Sequence, residues 1–455
     1  MVLVSNRGPL TFRRDGEHIR ASRGGGGLVS GLAPLVTDTD TVWFAAALTA
    51  EDEEMAKAGV IEHGGVRART IAIDPAVRAA AYDTVCNSML WFLHHGLHDL
   101  SRRPVVDRGF LDAWRAYRTY NDAFADVIVE EAPVGASVLV QDYHLALLGP
   151  RLTARRPDLV PIHFSHTPFA PPHLLRVLPH EVAVELLEGM AGHHRCGFHS
   201  TRWATDFRRC CEEIIGRTPT TFVAPLGPDL AGLRDAASSP ECTAHLAALD
   251  GELGERRLIL RVDRIELSKN LLRGFRAYDT MLADRPDLRG TVVFRALGYA
   301  SREGLPEYLA YRAEAEALAD VVNRRWGTSS WQPIELDIAD DFPRSVAHLR
   351  RYDVLLVNPI RDGLNLVAVE GPAVNERDGT VVLSREAGIH DLLDGAARSV
   401  NPFDIDDQAR ALAEALDLDA ATRTARAAEL RRRAESRTAA DWLADQLGEG
   451  HPPRD

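Results

Sequence analysis

The run Arg361-Asp362-Gly363-Leu364-Asn365-Leu366-Val367-Ala368-Val369-Glu370 holds two acids eight positions apart, joined by a turn and the start of an apolar helix. Ionised carboxylates only accept hydrogen bonds, which suits them to polyols: one can hold sugar hydroxyls while the other takes the paired hydroxyls of a ribose. A second run, Arg264-Ile265-Glu266-Leu267-Ser268-Lys269, combines a planar guanidinium with a point-charge ammonium. Together they could clamp a diphosphate and offset the charge gathering on a departing nucleotide. Taken singly, each motif has a plainer reading. Asp362 could be a turn residue and Glu370 a solvated helix residue, and Arg264 and Lys269 could form surface salt bridges with Asp263 and Glu266.

The elements that must position these groups read as strands followed by helices. Val354-Leu355-Leu356-Val357 is a fully buried strand in pattern, so Asp362 falls in the loop at its carboxyl end, where open α/β sheets bind ligands. A helix beginning near Leu364 would set Glu370 nearly two turns further in, on the face toward the crevice. The strand Leu258 to Val262 delivers Arg264 and Lys269 to the same kind of edge, and a helix from near Asn270 would add its positive end. Asn6-Arg7, Asp142-Tyr143-His144 and His166 likewise end strands, Pro168 stopping the last of them. His166 could equally be a core histidine. Tyr82, Asn87 and Trp91 mark one helical region, where aromatic residues form core more often than ligand platforms.

Gly24-Gly25-Gly26-Gly27 precedes an apolar helix running to about Leu35. Such a run lets backbone pass close to a ligand, or makes a flexible turn. No Gly-Lys-Ser/Thr follows it and no G-x-G-x-x-G pattern is formed, so ATP-dependent phosphoryl transfer and dehydrogenase chemistry are poorly supported.

A chain of 455 residues exceeds one ordinary core, so two or three domains are expected. One series of short β-rich runs covers Val2 to Ser5, Thr41 to Ala47, Ser137 to Gln141, Pro161 to Ser165 and Thr221 to Ala224. The other covers Arg257 to Leu260, Thr291 to Ala296, Pro333 to Leu336, Val354 to Val357, Thr380 to Leu383 and Ser399 to Val400. Alternation with helical patterns predicts two doubly wound parallel sheets. The breakers Pro225-Leu226-Gly227-Pro228 mark the boundary, giving residues 1–225 and 226–436 as the two domains. Residues 437–455 supply a terminal helix around Trp442 that returns to the first domain, then a disordered tail from Gly448.

The net charge of −13 disfavours nucleic acid and anionic membrane as partners. No apolar run is long enough to cross a bilayer, and the chain opens on Val2-Leu3-Val4-Ser5 without leader character, so a cytoplasmic enzyme is expected. Five cysteines without a CxxC pair argue against a disulfide framework. His94, His95, His98, His193 and His194 lack the flanking ligands of a zinc site, so neither metal nor cofactor is expected.

The order of motifs resembles trehalose-6-phosphate synthases, retaining glycosyltransferases with two Rossmann-like domains facing across a cleft (GT-B type). The resemblance rests on Val4-Ser5-Asn6-Arg7, Gly26-Gly27-Leu28, Tyr82 through Asn87 to Leu90-Trp91, Gln141-Asp142-Tyr143-His144-Leu145, Phe164 to Phe169, Arg264 with Lys269, Ser301-Arg302, and Arg361 to Glu370. It implies an acceptor pocket for glucose 6-phosphate made by Arg7, Tyr82, Trp91, Asp142 and Arg302, with the two arginines on the phosphate. It implies a donor site of Gly27, His166, Arg264, Lys269, Asp362, Asn365, Leu366 and Glu370. There Arg264 and Lys269 meet the diphosphate, Asp362 and His166 the transferred glucose, Glu370 the ribose, and the backbone after Asn365 the phosphates. Arg264, Lys269, Asp142, His166 and Asp362 are the implied catalytic set. A front-face mechanism is implied, in which the donor phosphate takes the acceptor proton while domain closure excludes water.

Asn270 stands where many members have glycine, and Gln141 replaces a histidine. With the run Val262 to Asn270, these resemble the actinomycete branch, in which GDP-glucose rather than UDP-glucose can be the donor. Two alternatives stay open: a pseudo-glycosyltransferase joining a nucleotide cyclitol to an aminocyclitol phosphate, and a non-catalytic sugar-phosphate sensor. The first is suggested by Gly371 to Asp378 and Val400 to Asp404; Arg7, Tyr82 and His144 keep the synthase pattern. The expected partners are a nucleotide-sugar donor and a sugar-phosphate acceptor, and a homo-oligomer remains open.

Overall fold

The computed structural model describes residues 1–16, 18–24, 27–302 and 304–448, and the chain divides into two compact units, residues 1–226 with 439–455 and residues 227–438. Gly25, Gly26 and the tail beyond Gly448 lie outside the described residues.

The first unit contains β1 (Val2–Ser5), β2 (Leu10–Asp15), β3 (His18–Arg23), β4 (Val42–Ala46), β5 (Val60–His63), β6 (Val66–Ile71), β7 (Ser137–Gln141), β8 (Val160–Ser165), β9 (Arg195–Phe198) and β10 (Thr221–Val223). Eight of them form one sheet in the order β10-β9-β8-β7-β1-β4-β6-β5, parallel except for the β5–β6 pair, while β2 and β3 form a separate antiparallel hairpin. β1 is buried throughout and β7 nearly so, as expected of parallel strands covered on both faces. The strand order reverses between β1 and β7, where the carboxyl-end loops splay apart and leave room for a ligand. Arg7 and Asp142 follow those two strands.

Helix residues pin these loops from behind. The helix Arg108–Glu131, capped by Asp107, sends the Tyr117 hydroxyl to the Tyr143 carbonyl at 2.6 Å and the Tyr120 hydroxyl to Asn6 Oδ1 at 2.5 Å. Tyr82 lies in a wide-turned π-helical stretch, Ala80–Leu90, that runs directly into the helix Trp91–His95 carrying Trp91. Gly24 is fixed by contact: its N–H donates to the Pro9 carbonyl at 2.6 Å, and a Cβ there would lie 2.7 Å from the Gly8 carbonyl oxygen. The helix Ala439–Leu447 belongs to this unit, with Trp442 only 1% exposed and edge-on to Phe164 at 5.0 Å.

The second unit contains β11 (Arg257–Arg264), β12 (Val292–Tyr299), β13 (Ile334–Ile338), β14 (Val354–Val357), β15 (Thr380–Ser384) and β16 (Arg398–Val400), all parallel, in the order β13-β12-β11-β14-β15-β16. This is the Rossmann order, with its switch point between β11 and β14. Arg264 ends the first of these strands, Lys269 follows it and Asp362 follows the second, so the switch point brings together residues about a hundred positions apart.

The helix expected near Leu364 begins instead at Val367, which corrects the position of Glu370 from nearly two turns in to the first turn. The cause is Asn365, whose φ of +80° is incompatible with helix. The hairpin β2–β3 and strands β5, β6 and β9 were not anticipated. Their half-exposed or short, Arg- and Gly-bearing sequences lack the continuous apolar run of a central parallel strand.

Asp142 adopts φ +70° and ψ 167°, a region that is essentially glycine's alone. Asp142→Gly is therefore expected to unfold at higher urea than Asp142→Ala, by about 1–3 kcal/mol, because both lose the carboxylate and only alanine keeps the strain. Equal midpoints would show that the backbone there is relaxed.

Candidate active site

At the second unit's switch point, Lys269 Nζ donates to Asp362 Oδ2 at 2.6 Å and lies 3.5 Å from Asp263 Oδ1. Burial pushes the ammonium toward its neutral form, but Asp362 and Asp263 outweigh it and hold its pKa well above the ordinary value, so Lys269 is charged at any working pH. Arg264 pairs with Glu266 at 2.8 Å while its side chain remains 41% exposed, anchored at one end and open to an anion at the other. Glu266, 1% exposed, also takes Arg302 at 2.6 Å and the Ser301 hydroxyl at 2.8 Å. Burial raises the Glu266 pKa, yet Arg264, Arg302 and Lys269 reverse that and hold it below its ordinary value.

Beneath these groups lies Arg261 on β11, with its side chain 1% exposed. It pairs with Asp263 at 3.0 Å and donates to Asn358 Oδ1 and to the Lys269 carbonyl. Asn358 in turn donates to Gln408 at 2.7 Å, and Asn270 Nδ2 donates to the carbonyls of Asn358 at 2.9 Å and Pro402 at 2.8 Å. Asn270 holds φ +65°, a conformation glycine takes freely and asparagine tolerates, so its departure from glycine is absorbed by the backbone.

The loop after β14 is equally fixed. Asp362 N donates to the Glu386 carbonyl at 3.1 Å, and Gly388 N returns a bond to the Asp362 carbonyl at 3.1 Å. Asn365 Nδ2 donates to Asp362 Oδ2 at 3.1 Å, while its buried Oδ1 has no hydrogen-bond partner. Leu366 precedes the helix Val367–Val374 and gives it no side-chain cap, and the Asn365–Asp362 bond keeps Asp362 close to that end of the helix. Glu370 is half-buried. Burial first, and the Asp229 carboxylate second, raise its pKa to about 7.

In the first unit, Arg7, Asp142 and His166 follow the adjacent strands β1, β7 and β8. Arg7 is exposed; Asp142 Oδ1 accepts the His166 backbone N–H at 3.2 Å. The His166 imidazole is held far below its ordinary pKa by burial, then by His199 and His163, and is neutral. Its Nε2 meets Gln141 Oε1 at 2.9 Å and its Nδ1 meets His199 Nε2 at 3.2 Å, so both ring nitrogens are engaged within the protein. Tyr82 stacks on His144 at 5.7 Å, whereas Trp91 is 2% exposed and stacks on His95 at 4.1 Å. Gly27 opens the helix Gly27–Val36.

On the second unit the structure links Arg264 to Arg302 through Glu266 and joins Lys269, Asp362 and Asn365 by hydrogen bonds, with Leu366 and Glu370 on the chain that follows. On the first it joins Asp142 to His166, with Arg7 after the neighbouring strand, while Gly27, Tyr82 and Trp91 lie on helices of that unit. Sequence reasoning missed Arg261, Asn358 and Gln408, whose polar side chains within a core pattern were the only signal. It also treated Glu266 only as a surface partner. The salt bridges of Arg264 and Lys269 with Glu266 and Asp263 do exist, but the carboxylates are buried. Among the described residues no group of three or more His, Cys, Asp and Glu side chains is arranged to hold a metal ion, and no helix is long and apolar enough to cross a membrane.

Residues 1–449 match glycosyltransferase family 20. The chain is 31% identical over 464 residues to an alpha,alpha-trehalose-phosphate synthase (UDP-forming) of Aspergillus fumigatus, covering 97% of this chain and 95% of that protein. The solved structure of trehalose-6-phosphate from E. coli bound with UDP-2-fluoro glucose superimposes with a TM-score of 0.87 at 26% identity, over 100% of this chain and 99% of that one. An alpha,alpha-trehalose-phosphate synthase (UDP-forming) from Burkholderia xenovorans in complex with glucose-6-phosphate gives 0.86 at 26% identity, over 98% and 99%. With two Rossmann-like units and a family match spanning nearly its whole length, the chain belongs to glycosyltransferase family 20, enzymes of the GT-B fold.

Proposed function

We propose that the chain transfers glucose, with retention of configuration, from GDP- or UDP-glucose to glucose 6-phosphate, forming α,α-trehalose 6-phosphate. The observation that carries this reading is the Lys269–Asp362 pair beside the solvent-facing Arg264 at the Rossmann switch point. A donor diphosphate would take over Lys269 and Arg264 together with backbone amides at the start of the helix Val367–Val374, and Asp362, released from the ammonium, would accept glucose hydroxyls. Glu370 accepts the ribose hydroxyls. Arg7 and Arg302 hold the acceptor phosphate, with Tyr82, Trp91 and Asp142 lining that pocket. Gly27 and His166 complete the donor side, and Asn365 and Leu366 present backbone to the phosphates.

Because both nitrogens of the His166 ring are engaged, its side chain cannot serve as the base in this reading. That supports a front-face route in which the donor phosphate receives the acceptor proton as the glycosidic bond breaks. Retention of the cation pair and both acids favours turnover over a silent sensor. Asn270 and Gln141 turn their side chains into the protein, so neither reads the nucleotide base. Relatives named UDP-forming make UDP-glucose one arm of the assay, and the actinomycete resemblance makes GDP-glucose the other. Purified protein given UDP-, GDP- or ADP-glucose with glucose 6-phosphate is expected to release a non-reducing disaccharide phosphate with at least one of the first two. No product from any donor would overturn the reading and favour cyclitol coupling or a silent sensor.

Lys269→Ala is expected to lower turnover about 10²- to 10³-fold, the loss of roughly 3–4 kcal/mol of charge stabilisation on the leaving group. A folded variant with normal turnover would remove Lys269 from the chemistry.

Glu370 predicts a pH signature. Its folded pKa is raised from 4.5 to about 7, so its contribution to stability is complete below pH 4.5 and is withdrawn as pH rises through 7. Glu370→Gln should therefore be more stable than the parent at pH 8, by about 1–2 kcal/mol given that the side chain is only half-buried, and indistinguishable at pH 4.5. The donor KM of the parent should rise below pH 7 as the ribose acceptor is protonated, while the variant's stays high and flat. Parallel KM profiles would detach Glu370 from the ribose.

A further inference from the structure

The hydrogen bonds around His166 form a chain whose direction is fixed at one end. Leu226 N–H can only donate, and it donates to His199 Nδ1 at 3.4 Å. His199, accepting at Nδ1, carries its proton on Nε2, which faces His166 Nδ1 3.2 Å away and donates to it. His166 is then left with its proton on Nε2, facing Gln141 Oε1 at 2.9 Å. With its oxygen so used, the Gln141 amide group donates to Gln446 Oε1 at 3.2 Å. Each link determines the next, so all four side chains have a single consistent assignment.

Packing fixes the ring as firmly as the bonds do. His166 sits 5.1 Å from Phe164, 5.1 Å from His199 and 5.8 Å from Trp442, and His199 and Gln446 are 3% and 0% exposed. The two ends of the chain lie where the polypeptide leaves and re-enters the first unit. Leu226 is that unit's last residue before the crossing, and Gln446 stands on the helix Ala439–Leu447 that follows the return. At the crossings themselves a Cβ on Gly227 would lie 2.2 Å from the Arg437 carbonyl oxygen, so the outgoing and returning segments run against one another.

We infer that His199, Gln141 and Gln446 are positioning residues that lock His166 as the Nε2–H tautomer in one ring orientation, tying it to both chain segments that join the units. The locked ring sets the direction of the His166 backbone, whose N–H holds Asp142 Oδ1. His199, Gln141 and Gln446 thereby act on the strained acid after β7 without themselves touching substrate. The catalytic consequence rests on the proposed glucosyl transfer; the tautomer does not.

The test uses the full chain labelled with 15N-histidine, His166 being assigned by its loss in His166→Ala. Long-range 1H–15N spectra are expected to show His166 with a protonated Nε2 and a bare Nδ1. In His199→Phe, which keeps the ring packing and removes the donor, His166 should shift to a mixture of tautomers. Turnover should fall about 10- to 100-fold, the size expected for a misplaced catalytic shell. His199→Gln, whose amide can donate toward Nδ1, should restore the tautomer and most of the turnover. Unfolding midpoints for each variant separate misfolding from misplacement. A proton on Nδ1 in the parent, or an unchanged His166 spectrum in His199→Phe, would overturn the proposal. Absence of transferase activity in the parent would strike the proposed function while leaving the spectra to decide the relay.

Discussion

A positive charge buried in the middle of a sheet is the constraint around which the second unit is organised. Arg261, with its side chain 1% exposed on β11, would be ruinous if unpaired, since a guanidinium taken from water without partners costs several kcal/mol even after relaxation. Its two terminal nitrogens are satisfied by Asp263, Asn358 and the Lys269 carbonyl, drawn from the β11 and β14 edges of the switch point, and only its buried Nε lacks a hydrogen-bond partner. The strand end, the cation-bearing turn and the following loop therefore come together or not at all. Apolar residues could pack these strands at least as stably, but they would leave the Lys269 turn without a fixed carbonyl anchor. Polar burial here specifies geometry more than it contributes stability.

The resting ion pairs follow the same logic. Arg264 and Arg302 share the buried Glu266, and Lys269 rests on Asp362 and Asp263. Counting Arg261, these four cations share three described carboxylates, and every one of the four is already held in place. An arriving diphosphate would exchange partners with Lys269 rather than order a loose side chain, which removes much of the entropic cost of binding. In a chain with a net charge of −13, such a gathering of fixed cations is what an anionic ligand needs.

How much of this could be read from the sequence depends on how local each feature is. Strands such as Val354–Val357 were legible because two-sided burial demands an unbroken apolar run, and the acids and cations were legible because they lie just past those strands. The start of the Val367–Val374 helix was misplaced because the deciding fact is one dihedral at Asn365, set by contacts from Glu386 to Ile389 rather than by neighbours in sequence. The β2–β3 hairpin escaped notice because its outward face is polar and it joins neither large sheet. Glu266 as the shared anchor of two arginines, and the relay from Leu226 to Gln446, join residues separated by up to several hundred positions. No local pattern encodes such pairings.

Backbone strain falls where the chemistry is expected. Among the described residues, six other than glycine have positive φ, and Asp142, Asn270, Arg302 and Asn365 are four of them. Asp38 and Asp378 are the other two, and Asp and Asn tolerate this region better than most residues because their short side chains bond locally. Arg302 has no such excuse. Its φ of +45° is stabilised by what its side chain reaches, namely Glu266 at 2.6 Å and the Tyr308 hydroxyl at 3.2 Å. Asp142 is held likewise from several sides, by its own N–H to the Phe164 carbonyl at 2.7 Å and by the His166 N–H on its carboxylate. Strain of this kind survives only where surrounding contacts over-determine the backbone. The parallel sheets and their tightly bonded carboxyl-end loops provide that, and the side chains they hold in uncommon conformations are the ones whose aim would matter to transfer.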